Sequence, residues 1–328
     1  MTTVVTGASG HVGGNLVREL LAQGRTVRCG VRDDVQALEG LDVEQVKADV
    51  RDRDSLVKAF AGADTVFHLA ALISVAGEMG GLVQDTNVKG VANVVSACLE
   101  CGVKRLVHFA SIHAFQQSPL DEPLNETRTR VSDDGLPYDR SKAGGIAEVL
   151  KGVEQGLNAT IVCPTAVLGP NDFKPSRMGQ VFLKLYHRKL LGLIEGGFDW
   201  VDVRDIVAGA LAAEEKGRVG EMYLLSGNYA TVAELGDLAK EVTKVPPPKM
   251  VTPMWLGRSV APFAEAWASL TKTEPLFTSE SLAALRANKT IENDKARDEL
   301  GYSPRPLLDT VKAVYQSFEE RGLLKKGG

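Results

Sequence analysis

The chain starts with five residues of strand character, "TTVVT" at 2–6, then a glycine-rich turn, then a helical pattern from Val12 to Ala22. The alternation continues. "TVRCGV" (26–31) and "DVEQVKA" (42–48) predict a second and a third strand, and "SLVKAFAG" (55–62) a short helix. "DTVFHLAA" (64–71) predicts a fourth strand, and about 80–101 a long helix. "RLVHFAS" (105–111) is a fifth strand, 138–154 a helix and "NATIVCP" (158–164) a sixth strand. These strands are mostly continuous apolar runs rather than alternating ones, as expected when both faces are buried. The predicted fold class is α/β: a doubly wound parallel sheet with right-handed helical crossovers.

The regularity breaks after residue 168. "GPNDFKPS" (169–176) is a loop, and "DWVDVRDIVAGALAAEE" (199–215) predicts one more strand and helix returning to the sheet. "VPPPK" (245–249) is a stiff linker. From Met250 to about Asn293 the chain is helical, loop-rich and apolar, with Trp255, Phe263, Trp267 and Phe277. The expected organisation is one α/β domain over 1–168, with 198–230 returning to it. A smaller, mostly helical C-terminal lobe takes 169–197 and 231–310, and a helix and tail take 311–328. No internal repeat appears.

Composition narrows the function classes. At 328 residues and 44% hydrophobic, the chain has material for a large core. Its net charge is −4 and no basic stretch resembles a nucleic-acid footprint. "MTTVVTGASG" lacks the basic start and apolar core of a secretory signal, and no apolar run reaches the ~18 residues of a membrane span. The expectation is a cytoplasmic protein with no stable membrane insertion. Cys98 and Cys101 form a C-x-x-C near the end of a helical pattern, away from the helix start that would lower a thiol pKa. No second pair gives zinc spacing, so no metal site is expected, and Cys29, Cys98, Cys101 and Cys163 read as packed residues in a reducing compartment.

"TGASGHVGG" places Gly7, Gly10 and Gly13 three apart, with Ser9, His11 and Val12 among them, at the first strand–helix junction. A helix N-terminus offers free N–H groups and a partial positive charge, so this is a cradle for a dinucleotide pyrophosphate. Gly7 suits the tight turn, Gly10 the close approach of the ligand and Gly13 the packing of helix on sheet. The G-x-x-G-x-x-G spacing resembles the short-chain dehydrogenase/reductase superfamily. Length and two-lobed layout point to its extended, epimerase/dehydratase branch, with a Rossmann fold. "GPNDFKPS" with "GGFDWVDVRDIVAGA", then "KTEPLFTSESL" and "KARDELGYSPRPL", resemble bacterial proteins similar to dihydroflavonol 4-reductase and 3β-hydroxysteroid dehydrogenase.

The second strand ends "CGVRDD", with Arg32 where NAD sites usually carry an acid for the ribose 2′-OH. An Arg there would pair with a 2′-phosphate, so NADP(H) is preferred; Asp33 follows at once and leaves NAD(H) open. The resemblance further implies Asp49 and Val50 at the adenine edge, Leu69, Ala70 and Ala71 lining the cofactor, and Pro164 and Val167 near the carboxamide. His68 reads as a packed strand residue.

Tyr138 and Lys142 in "YDRSK" are four apart and share one helix face. Free tyrosine titrates near ~10, and a nearby ammonium would lower that toward the range of general acid–base catalysis. Ser111 closes the preceding strand, 27 residues before Tyr138. In the family this Ser orients a carbonyl, Tyr138 moves the proton, and Lys142 tunes Tyr138 and holds the ribose. Asn87 in "DTNVKG" matches the Asn that supports the relay.

The expected activity is reversible hydride transfer between NADP(H) and a carbonyl or alcohol of a small, largely apolar substrate, in a homodimer formed through helices 80–101 and 138–154. The alternatives are a nucleotide-sugar epimerase or dehydratase with retained NAD and a non-catalytic redox-sensing protein. Phe173, Met178, Phe182, Trp200, Met254, Trp255 and Trp267 are pocket candidates, with 254–270 a substrate lid. His113 is a candidate at the pocket mouth, and Lys174 and Arg177 are candidates for an acidic substrate group.

Overall fold

A computed structural model describes residues 1–74, 77–257, 259, 285 and 288–325. Seven parallel strands form the main sheet: β1 (Thr2–Thr6), β2 (Thr26–Val31), β3 (Glu44–Lys47), β4 (Thr65–His68), β5 (Arg105–Phe109), β6 (Ala159–Pro164) and, much later in the chain, β10 (Met222–Leu225). Their order is β3-β2-β1-β4-β5-β6-β10. Consecutive residues pack on opposite faces. Val4, Val66, Leu106, Ile161 and Leu224 lie in one core, and Val5, Phe67, Val107, Val162 and Leu225 in the other. Two buried faces leave no polar side to alternate with, which explains the continuous apolar runs.

Helices α2 (Arg53–Phe60), α4 (Gly90–Glu100) and α5 (Pro137–Glu154) cover the first face. Helices α1 (His11–Ala22), α7 (Val203–Lys216) and α9 (Asp294–Leu300) cover the second. The helical pattern over 80–101 resolves into a short turn α3 (Leu82–Gln84), a π-turn (Asp85–Lys89) and α4.

The strand expected to return at 199 does not join this sheet. Instead β9 (Gly197–Asp202) pairs in parallel with β7 (Ala166–Leu168) and antiparallel with β11 (Asn228–Thr231). Close backbone approach decides this: a Cβ on Gly227 would fall 1.9 Å from the Trp200 carbonyl oxygen. The return is made by α7, which Asp202 caps by accepting from Arg204 N–H at 2.8 Å, and then by β10. A further small pair joins β8 (Leu193–Ile194) to β12 (Val251–Thr252).

A third core holds these small sheets against α6 (Arg177–Tyr186), α8 (Val232–Thr243) and α10 (Leu307–Glu320). Phe182 and Trp200 are fully buried in it, so they are core residues rather than pocket lining. Met178 and Met254 pack at its edge, and Trp255 is exposed. Trp267, Phe263, Phe277 and most of the lid candidate 254–270 lie outside the described residues.

The loop 169–176 is fastened to both parts. Pro170 C=O accepts from His11 Nε2 at 2.9 Å and Asn15 Nδ2 at 3.1 Å. Asn171 N–H donates to Ser317 Oγ on α10 at 2.9 Å. The Phe173 ring lies between the guanidinium groups of Arg18 (4.7 Å) and Arg321 (5.0 Å). Lys174 reaches back toward Asp34 at 3.9 Å, beside the end of β2. Among the described residues, no helix is long and apolar enough to cross a membrane.

Candidate active site

The glycine turn separates into two roles. Gly7 has φ +70°, and a Cβ there would come within 2.7 Å of Ala70 N. At Gly13 a Cβ would sit 2.2 Å from Gly7 C=O. The protein's own packing therefore requires both. At Gly10, which caps α1, the nearest atom to a Cβ is Gly7 O at 3.3 Å. The first turn of α1 has no side-chain cap and no acidic residue. Bare N–H groups beside a glycine that packing constrains less than Gly7 or Gly13 fit an anionic pyrophosphate. Ser9 and Val12 are partly buried beside it, while the His11 imidazole is held by Pro170.

The other cofactor candidates line the same edge of the sheet. Arg32 is exposed just past β2. The Asp49 carboxylate is gripped by Arg51 at 2.6 and 3.0 Å, and this pairing, with a smaller pull from Arg32, brings its pKa down to about 2. Val50 is buried, and its carbonyl accepts from Asn93 Nδ2 at 2.9 Å. Leu69 N–H donates to Thr6 O at 3.1 Å, Ala70 is partly buried and Ala71 is exposed. Pro164 ends β6, and Val167 lies on β7, paired with Val201.

Ser111 and Tyr138 meet at the C-terminal edge of β5. Ser111 is buried, and its hydroxyl lies beside the Tyr138 phenol, close enough to favour the ionised form. Tyr138 sits in the first turn of α5, started by Pro137 at a position where a missing N–H does no harm. Lys142, one turn further, is buried and donates from Nζ to Phe109 O at 3.2 Å. Burial brings the Lys142 pKa down to about 8. The lowered Tyr138 pKa expected from the spacing is not found. Burial pushes the phenol up and outweighs the lowering influence of Ser111, and the neighbouring Asp139 charge pushes the same way as burial. The Lys142 ammonium is spent on the Phe109 carbonyl.

Asn87 is buried in the π-turn with its carboxamide fully used. Oδ1 accepts from Leu72 N at 2.8 Å, and Nδ2 donates to Leu72 O and Ser141 Oγ, both at 2.9 Å. Ser141 Oγ in turn donates to Tyr138 O at 2.7 Å. The side chain is a clamp between the loop after β4 and the start of α5, not a free relay group.

His68 is packed as expected. It is hydrogen-bonded to Thr6 Oγ1 at 2.7 Å and stacks on His108, its cross-strand partner, at 5.2 Å. Burial lowers both pKa values, His68 to about 3. All four cysteines are free, and burial raises each thiol with a resolved shift, Cys29 and Cys163 to about 12. Sequence reading missed the pairing of His113 with Asp139. The Nδ1 atom lies 3.0 Å from Asp139 Oδ1, and the ring meets Tyr138 edge-on at 5.6 Å. Asp139 follows Tyr138 directly in the chain, and that adjacency is the signal that was available.

A doubly wound sheet with a glycine-rich turn after its first strand and a Ser–Tyr–Lys set beside its fifth strand defines an extended dehydrogenase/reductase-type chain. The chain belongs to the NAD dependent epimerase/dehydratase family, whose profile matches residues 3–226. It is 34% identical to sterol demethylase protein B of Methylococcus capsulatus, over 99% of this chain and 100% of that one. It is 27% identical to the 4-hydroxy-2-methyl-3-oxo-4-farnesyl-3,4-dihydroquinoline-1-oxide ketoreductase of Stigmatella aurantiaca, over 93% of this chain and 92% of that one. The crystal structure of gox2253 superposes with a TM-score of 0.84 at 32% identity, covering 99% of each chain. Reductases and dehydrogenases recur among the relatives, which marks an enzyme of oxidoreductase type.

Proposed function

We propose that this protein is a nicotinamide-dependent oxidoreductase that reversibly transfers a hydride between cofactor and the carbonyl or alcohol carbon of a small, largely apolar substrate. The observation that carries this reading is buried Ser111 beside the Tyr138 phenol, one helical turn before buried Lys142, on the sheet edge that also bears the glycine turn. NADP(H) is the preferred cofactor because exposed Arg32 stands where a 2′-phosphate would need a cation. When bound, the nicotinamide supplies or accepts the hydride.

The chain's own residues handle the oxygen and its proton. Tyr138 donates its phenolic proton to the carbonyl oxygen, and Ser111 aligns that oxygen from the other side. A raised phenol pKa keeps Tyr138 protonated at neutral pH, the form that donates to oxygen when a carbonyl is reduced. Asn87 acts as a positioning residue through Ser141. The lobe built around the third core, with the loop 169–176, supplies the substrate side of the cleft. A homodimer through α4 and α5, located in the cytoplasm, belongs to the same proposal.

The test is consumption of NADPH and of NADH by purified protein across a panel of ketones and aldehydes, with solution mass measured on the same preparation. Turnover with NADPH above NADH is expected, and Tyr138→Phe should lower kcat at least ~100-fold. Recovery of tightly bound NAD with no net consumption for any carbonyl would overturn the proposal in favour of an epimerase or dehydratase.

A further inference from the structure

We propose that the outer face of the small β8–β12 pair is a peripheral docking surface for a membrane rich in anionic phospholipid, seated on the bilayer without crossing it. The inference is independent of the reaction proposed above and adds a partner to the chain.

The argument begins with apolar side chains that the fold leaves in water. Val251 and Thr252 pair with Leu193 and Ile194, and Leu193 N–H donates to Met250 O at 2.9 Å. Leu193 and Ile194 turn inward and are buried in the third core. The residues around them do the opposite. Leu191 is 94% exposed, Trp255 69% and Met250 57%, and Val251 and Leu256 are exposed as well. Trp255 stays near the end of the pair, because the preceding Met254 N–H donates to Glu195 Oε2 at 3.0 Å. A single exposed leucine is ordinary, but five large apolar side chains gathered on two paired segments form a patch.

Cations border the same segments. Arg188 and Lys189 lead into Leu191, and Lys249 precedes Met250; all three are exposed. Lys184 and Arg188 share a groove of about 160 Å³ with Pro246–Pro248. None of these four side chains makes an ion pair or a hydrogen bond among the described residues. Arg188 also takes φ +55° just past the end of α6, the conformation in which helix ends favour glycine. An arginine gains nothing there from the backbone. The whole chain carries a net charge of −4, so this positive border is a local feature.

An apolar centre with a tryptophan, bordered by unpaired ammonium and guanidinium groups, matches the boundary of an anionic bilayer. Leucine and methionine enter the acyl edge, the indole sits at headgroup depth and the cations meet phosphate and carboxylate groups. A second copy of the chain on this face would set the same cations against each other across a symmetric contact. The apolar side chains project outward, which suits a fluid surface that conforms to them.

The test is flotation of the full-length protein with phosphatidylcholine vesicles, with and without about 30% phosphatidylserine. Wild type should bind the anionic vesicles at least tenfold more tightly than the neutral ones at low salt, and lose that margin at high salt. Arg188→Glu/Lys189→Glu should weaken anionic-vesicle binding roughly 30-fold, the loss expected of two interfacial cations. Leu191→Ser/Trp255→Ser should weaken it at least tenfold and leave its salt dependence in place. Lys58→Glu/Lys216→Glu makes the same change of net charge at exposed positions on α2 and α7 and should bind like wild type. All the substituted side chains are exposed, and thermal melts of each variant should match wild type. As a second readout, brominated phosphatidylcholine in the anionic vesicles should quench wild-type tryptophan emission, and Trp255→Phe should lower the quenched fraction. Equal binding to both kinds of vesicle, binding to neither, or patch variants that bind like wild type would overturn the inference. So would an equal loss in the Lys58/Lys216 control, which would reduce the effect to overall charge. A larger solution mass that Leu191→Ser/Trp255→Ser abolishes, with no vesicle binding, would also overturn it and make the face a contact between copies.

Discussion

Lys142 places a cation inside the site. It is a buried ammonium with one carbonyl partner, and burial moves its pKa from an ordinary 10.5 to about 8. Between those values the unfolded chain binds the proton and the folded chain does not, so folded stability rises with pH across that window. Below pH 8 both states are charged and the burial penalty is constant. Lys142→Met should therefore be more resistant to urea than wild type at pH 7, with the advantage shrinking at pH 9.5. A difference in midpoint that stays flat between those pH values would contradict the assignment. Any help Lys142 gives to catalysis or to the ribose should fade above about pH 8, as it loses its charge. The sequence showed that Tyr138 and Lys142 share a face, because that depends only on helical spacing. It did not show that both are desolvated, or that the ammonium faces Phe109 O. Those depend on what the face packs against. His113 and Asp139 were hidden for the same reason: they lie 26 residues apart and meet only when α5 packs beside the end of β5.

At the scale of elements, the six strands up to residue 164 were legible because burial on both faces writes long apolar runs. "DWVDV" is a strand by the same signal, yet its sheet is chosen by close backbone approach at Gly227 and by the seat of Trp200, Nε1 donating to Ala230 O at 2.8 Å. Periodicity carries no such information. The glycine turn was legible as a motif, but its division of labour was not. Gly13→Ala would put a Cβ 2.2 Å from Gly7 O and should lower stability by roughly 1–3 kcal/mol. Gly10→Ala meets only a 3.3 Å contact and should change stability by less than about 1 kcal/mol. It should nevertheless weaken NADP(H) binding at least tenfold, since the methyl group would occupy the anion's approach. Denaturation midpoints and cofactor titration of the two variants test this together. Gly10→Ala binding cofactor like wild type would remove the pyrophosphate from that turn.

Over the whole molecule, the sheet edge that bears the glycine turn and the third core are joined by the loop 169–176, and one ring is its central fastening. Phe173 sits between Arg18, on the helix that follows the glycine turn, and Arg321, just past α10. Both arginines are anchored by backbone carbonyls, Arg18 outside the loop and Arg321 on the loop itself. Arg18 donates to Gly14 O and Ala37 O, and Arg321 to Asp172 O and Phe173 O. The ring thus connects two pre-positioned cations, each contact contributing about 0.5–1 kcal/mol at a partly exposed site. Phe173→Ala should lower stability by about 1–2 kcal/mol on this account. Because the same loop presents Pro170 O to His11 and Asn15, loosening it should also reach the start of α1 and raise the cofactor Kd several-fold. The decisive measurement is a double-mutant cycle. If the ring couples the two parts, Phe173→Ala and Arg18→Met should be non-additive by at least about 0.5 kcal/mol, both in stability and in cofactor binding. Strict additivity, or a stability loss with unchanged cofactor affinity, would reduce Phe173 to local packing and leave the two parts of the molecule without this link.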